Sequence, residues 1–392
     1  MRNIRRRTFI AHIARLAIAG VLCATPLAHL AAQTIPTRIE DAVFWRMVTD
    51  FSESGGYFRS DNFVSNETTF QHVIPELDRT TSAGGVYLGV GPDQNFTYIT
   101  AMRPKIAFII DIRRQNMLQH LMYKALIELS PERADFLSRL FSRPRPAGLG
   151  ANTTPDALFL AYEGVASDSV LYRKTMAAIT RQLVEQHKFA LSEEDMRAVE
   201  YVFTAFYAAG PDLTYSFASP GRGAYFGDRR MPTYGELMVE SDAEEQQRSY
   251  LATEANYRVL RELQRNNLIV PLVGDFAGDK AIRSVGRWVR ERDATVTAFY
   301  LSNVEQYLFQ QNDNWRRFFD NVATLPVDSS STFIRAVFNN MAYRPPVRPS
   351  RPGPRSVTLL APITEQLKAV ADGRIQSYFD VIQFSRETVP QQ

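Results

Sequence analysis

The sequence predicts an α/β protein: a doubly wound, mostly parallel sheet with a large all-helical insertion between its second and third strands. Three observations carry that reading. The runs at 85–91, 105–111, 268–273 and 295–301 are apolar without alternation, which suits strands covered by helices on both faces. Helical patterns at 95–102, 280–292 and 315–322 separate such runs, the alternation of a parallel sheet. Between 115 and about 266 only helical patterns occur, at 115–129, 131–141, 167–187, 192–208 and 243–264. Of 392 residues, 45% are hydrophobic and 22% charged, so the chain can bury a large core.

Residues 1–32 read as a signal peptide. Arg5-Arg6-Arg7-Thr8-Phe9-Ile10 precedes an apolar run from Leu16 to Leu30 and the small pair Ala31-Ala32, the order of a secretory signal cleaved near Ala32. At about 15 residues the run is short of a membrane span, and Pro26 interrupts it. Arg6-Arg7-Thr8-Phe9-Ile10 also resembles a twin-arginine signal, so Sec and twin-arginine routes both stay open, and the expected address is periplasmic or extracellular. The bulky Leu22 before Cys23 argues against lipidation. Cleavage removes five arginines and no acid, taking the formal charge from +3 to −2, so no nucleic-acid partner is expected. It also removes the one cysteine and leaves His72, His120 and His187 far apart in sequence. Neither a thiolate nucleophile nor a metal site is expected.

Residues 33–82 form an N-terminal helical segment. Val43, Phe44, Met47, Val48 and Phe51 recur at helical spacing until Ser54-Gly55-Gly56 stops them. Asn62, Ser65, Asn66 and Glu67 then either cap a helix bearing Phe70, Val73, Ile74 and Leu77 or fold over a ligand, capping being the more ordinary chemistry. Residues 83–114 begin the sheet, and 115–266 are the insertion, broken by Pro and Gly at 143–150 and 210–234. His120, beside Leu121 and Met122, reads as a core residue. Tyr215, Phe217, Tyr225 and Phe226, interleaved with Gly221, Arg222 and Gly223, fit a substrate lid or a packed loop equally well. Residues 267–344 resume the sheet, with a further strand at 332–338. Residues 345–356, holding five prolines, form a linker to a C-terminal helix and strand at 357–392.

The chemistry concentrates after the first strand. Gly89-Val90-Gly91-Pro92-Asp93 joins that strand to a helix, and Asp111 closes the next strand 20 residues after Gly91. Glycines let backbone and ligand approach, and an acid at a strand tip can accept from a ribose diol. The placement favours a nucleotide site over a structural turn; for Asp111 the competing reading is an ion pair with Arg113 or Arg114. A dinucleotide fingerprint would need glycine where Gln94 stands. No His-Glu-x-x-His or Gly-x-Ser-x-Gly segment appears, although a Ser/His/Asp triad built from distant residues stays open.

These residues resemble the class I S-adenosylmethionine-dependent methyltransferases, a Rossmann-like superfamily, over 83–111 and again over 268–338. The resemblance implies Gly89, Gly91 and Asp93 at the cofactor's amino-acid end, Asp111 on its ribose, and Asp275 with Phe276 at its adenine. Leu301-Ser302-Asn303-Val304-Glu305 is similar to the family's fourth-strand loop, which implies Asn303 and Glu305 facing the acceptor. Two positions depart from the pattern: Tyr87 stands where the family has an acid, and Asp93 replaces the third glycine. The insertion of about 150 residues is also unusual for the family. Two readings of function follow. One is a methyltransferase-like protein binding S-adenosylmethionine or a related nucleoside; the other is an exported, non-catalytic binding protein on a degenerate form of the same fold.

Overall fold

Six strands form one sheet in the computed structural model, which describes residues 34–216, 231–338 and 355–388. They are β1 (Val86–Gly89), β2 (Ile106–Asp111), β3 (Ile269–Val273), β4 (Val296–Ser302), β5 (Thr332–Phe338) and β6 (Ser356–Pro362). Their spatial order is β3-β2-β1-β4-β5-β6. The first five run parallel, and β6 pairs antiparallel with β5. The α/β class, the mostly parallel sheet and the helical insertion between β2 and β3 are as the sequence predicts. Every residue of β1, β2 and β3 is buried, the reason their sequences do not alternate. The order reverses beside β1, and such a switch point opens a crevice at the carboxyl ends of the strands.

Helix Arg114–Glu128 lies on β2 and β3 and is itself enclosed by Arg133–Phe141, Ser169–Thr180, Glu193–Ala209 and Glu254–Arg265. Its residues from Asn116 to Ile127 are all buried, Gln119, His120 and Lys124 included, so it has no solvated stripe. Helix Asp41–Phe51 packs on β3, and Ala281–Arg290 packs on β2 and against Asn314–Val322. One continuous apolar cluster runs from Ile39 through the insertion and the sheet to Val381. Among the described residues no helix is long and apolar enough to cross a membrane.

Three local expectations are corrected. The helix expected at 243–264 begins only at Glu254. Before it, the Asp242 carboxylate accepts the N–H groups of Glu244 (2.8 Å) and Gln246 (2.9 Å) and holds a turn until Thr253 caps the helix. Residues 62–69 are irregular, and a short 3₁₀ turn, Phe70–Val73, precedes the helix Ile74–Thr80. The C-terminal segment starts with a strand and continues as two helices, Ile363–Ala371 and Tyr378–Thr388, because β6 fills the edge that β5 would leave unpaired. The signal segment, Phe217 to Phe226 of the expected lid, and most of the proline linker lie outside the described residues.

Candidate functional site

A cavity sits at the carboxyl ends of β1 to β4. It is lined by Val90 and Gly91 after β1, Asp111 to Arg113 at β2, Gly274 to Phe276 after β3, and Ser302 to Val304 at β4. Gly91, Asp111, Asp275, Phe276 and Asn303 therefore meet in one place. Gly89, Asp93 and Glu305 lie outside it.

Gly89 is needed for packing. A Cβ there would collide with the side chains of Asn95 and Tyr87. Asn95 ties the turn: its amide donates to the Val90 carbonyl (2.9 Å) and the Pro92 carbonyl (2.7 Å), while its oxygen accepts from the Tyr87 hydroxyl (2.9 Å). Gly91 takes φ +77°, a conformation glycine adopts without strain, and its carbonyl accepts from His120 Nε2 (2.8 Å). Burial brings the His120 pKa down to about 4, so the ring is a neutral donor at pH 7. It is a core residue, as its sequence context indicates, and it fixes the carbonyl of a cavity-lining glycine.

Asp93 turns the other way, into the helical layer. It is 2% exposed and accepts from the Tyr250 hydroxyl (3.1 Å), which in turn shares a 2.6 Å hydrogen bond with the Tyr234 hydroxyl. Desolvation lifts its pKa to about 7. Glu305 is 1% exposed and forms a buried ion pair with Arg335 (2.8 Å), a partner on β5. Neither carboxylate is available to a ligand in the cavity, because each is satisfied in the core.

The remaining strand tips hold Asp111, Asp275 and Asn303 differently. Asp111 is paired with Arg113: Oδ1 accepts the Arg113 backbone N–H (2.9 Å) and Nε (3.1 Å), and Oδ2 accepts Nη2 (3.2 Å). Of the two readings of Asp111, the Arg113 pair is thus present, within a residue that also lines the cavity. Asp275 is half-buried and accepts the Ala277 N–H (2.9 Å) in a tight turn. Phe276 stacks with Phe318 (5.6 Å) and tilts against Phe299 (5.1 Å), so its ring is anchored in the core. Asn303 donates to Gln306 (3.3 Å) and follows Ser302, whose φ of +51° bends the end of β4.

The residues under-read from sequence are in the N-terminal segment. Asn62, Ser65, Asn66 and Glu67 all line the cavity, and the helix-cap reading is corrected, since none caps a helix. Glu67 is 1% exposed. Its Oε1 accepts from the Tyr300 hydroxyl (2.9 Å) and the Ser302 hydroxyl, and its Oε2 accepts from Gln94 Nε2 (2.8 Å). All three donors are neutral, no cation pairs with it among the described residues, and desolvation raises its pKa. The signal available in sequence was an acid in a non-periodic polar stretch, Asn62 to Thr69, ahead of the first strand. Aromatic rings frame the mouth: Tyr57, Phe58, Tyr215 and Tyr307. Phe58 meets Tyr307 edge to face at 5.6 Å, with the Arg113 guanidinium over its ring.

The charges in this cavity decide what fits. Glu67, Asp111 and Asp275 are acids, and the guanidinium of Arg113 is spent on Asp111. At the start of helix Gln94–Met102 the N–H groups of Asn95 and Phe96 already bond the carbonyls of Pro92 (3.4 Å) and Asp93 (2.9 Å). A pyrophosphate would meet the acids Glu67, Asp111 and Asp275 with no free cation among the described lining residues to offset its charge. Among the described residues no group of three or more His, Cys, Asp or Glu is arranged to hold a metal ion.

The family described as a domain of unknown function, DUF7790, matches residues 62–147 and 150–368. This chain belongs to the DUF7790 family. The match takes in the Glu67 segment, all four strands at the cavity, and the insertion. No curated protein matches the DUF7790 chain. Among solved structures, the rRNA methyltransferase aviRa from Streptomyces viridochromogenes aligns over 82% of this chain and 99% of its own, at 10% identity and a TM-score of 0.28.

Proposed function

We propose that the cavity of this DUF7790 protein binds S-adenosylmethionine or a related nucleoside, and that the chain is methyltransferase-like. The observation that carries this is the meeting of Gly91, Asp111, Asp275, Phe276 and Asn303 in an acid-lined, ring-framed cavity at the switch point of the sheet. Acidic walls suit a sulfonium cation and reject a dinucleotide. When bound, S-adenosylmethionine supplies an electrophilic methyl group; the protein's part is to hold and orient it and to exclude water. Gly91 allows close backbone approach, Asp111 Oδ2 accepts one donor here and has room for a second, and Asp275 and Phe276 line the cavity after the neighbouring strand β3. Gly89, Asp93 and Glu305 have no part in binding on this reading.

The second reading, a non-catalytic binding protein, is favoured by one specific observation: Tyr87, standing where class I methyltransferases have an acid, spends its hydroxyl on Asn95. Calorimetry tests the first reading. The folded protein is expected to bind S-adenosylmethionine and its demethylated product, with NAD giving no heat. No heat and no thermal shift with either nucleoside defeats it.

A further inference from the structure

We propose that the cavity takes a planar molecule carrying an O–H or N–H donor, its plane held by the rings at the mouth and its donor received by Glu67. This deepens the reading above by naming the class of the second ligand of the same site, and it rests on that cavity being the ligand site. The argument starts from the acceptor capacity of one carboxylate. An ionised carboxylate has about four acceptor positions. Glu67 Oε1 is filled by the hydroxyls of Tyr300 and Ser302, whereas Oε2 receives only Gln94 Nε2. One acceptor position stays open among the described residues, on a side chain that is almost wholly buried and lines the cavity. A buried acceptor without a cation partner gains most from a donor supplied by a ligand.

The surroundings are built around that position. Ser65 donates to Gln94 Oε1, which turns the Gln94 amide nitrogen toward Glu67, and the Glu67 N–H donates to Ser65 Oγ (3.1 Å). Ser302 reaches Glu67 from a residue with φ +51°, so β4 bends to bring its hydroxyl there. The titratable groups facing Glu67 from β1, helix Gln94–Met102 and β4 are the phenols Tyr87, Tyr98 and Tyr300, each held in its neutral form by burial.

Shape comes from the mouth. Tyr57 is 86% exposed after Gly55-Gly56 and has no ring partner among the described residues. An aromatic side chain left in water beside Phe58, Tyr215 and Tyr307 offers a face for stacking. The walls are acidic, so the molecule that enters is neutral or cationic.

The test uses two probes of the same size with the full-length protein: 2-naphthol, which has a donor, and 2-methylnaphthalene, which has none. Fluorescence titration is expected to show 2-naphthol binding at least about tenfold more tightly, the effect of roughly one good hydrogen bond to a charged acceptor. Glu67→Gln, a near-isosteric change, is expected to bring the two probes to similar affinity. Tyr57→Ala, at an exposed position, should weaken both probes severalfold and leave their ratio unchanged. Equal binding of the two probes to the unaltered protein, or no binding of either, overturns the proposal. So does a ratio that Glu67→Gln leaves intact. Calorimetry with S-adenosylmethionine's demethylated product keeps the two readings apart: naphthol discrimination without nucleoside heat would sink only the nucleoside assignment.

Discussion

Asp93 and Glu67 are both buried carboxyls near the same turn, yet they differ in what they face. Asp93 looks into tyrosines of the helical layer, and with a folded pKa near 7 it keeps its proton at pH values where an unfolded Asp, near 3.8, has lost its own. Below about 4 both states are protonated and the residue is neutral to stability. As pH rises from 4 to 7 the folded state binds more protons than the unfolded one, so stability falls, and above 7 the full penalty is present. Asp93→Asn removes the titration while keeping the acceptor for Tyr250. Urea unfolding should show the variant gaining stability over the parent by an amount on the order of a few kcal/mol between pH 4.5 and pH 8. A gain that does not change with pH would show that Asp93 is not the buried acid described.

At the scale of elements, several joins are made by residues far from the element they serve. Glu53 accepts the N–H groups of Lys280 (2.8 Å) and Ala281 (2.7 Å) and so caps the helix Ala281–Arg290 from the N-terminal segment. Helix Glu193–Ala209 is capped locally instead, by Ser192 accepting from Asp195 N–H (3.1 Å) while Asp195 accepts from Ser192 N–H (3.0 Å). Asp195 also takes both arms of Arg114 (2.7 and 2.9 Å), tying the cap to the central helix, and that hydrogen bond leads in lowering its pKa. Ser192→Ala should cost about 1 kcal/mol in urea unfolding. A loss below about 0.3 kcal/mol would mean that the Arg114 link alone secures this helix start. The Ser192 cap could be read from sequence, because its partners are three residues apart; the Glu53 cap could not, because its partners are more than 200 residues away.

Across the whole molecule, an expected export signal stands against the proposed ligand, which cells use in the cytoplasm. We infer that the chain is exported, cleaved near Ala32, and works outside on a bound or locally available ligand. Fusing residues 1–33 to a reporter active only outside the cytoplasm should give signal. Arg6→Lys with Arg7→Lys should abolish it if the twin-arginine route carries the folded protein; export unchanged by the pair assigns the Sec route and removes the chance of a ligand trapped before export. Absence of export from the parent fusion would overturn the address and favour a cytoplasmic methyltransferase-like protein.

The parallel core was legible in the sequence alone. Short continuous apolar runs bounded by glycines and acids fit strands buried on both faces, and those end residues place the crevice on the carboxyl side, because both features are local in the chain. Tertiary structure decided which polar residues serve that crevice. Asp111, Asp93 and Glu305 look alike in sequence as acids near strand ends, but Tyr250 and Arg335, far along the chain, satisfy Asp93 and Glu305, while Asp111 pairs with the nearby Arg113 and still lines the cavity. Glu67 belongs to a stretch with no periodicity, and only its folding against Gln94, Tyr300 and Ser302 buries it with an acceptor position to spare. A carboxylate's availability depends on its three-dimensional partners, and residues 27 to 235 positions away supplied them here.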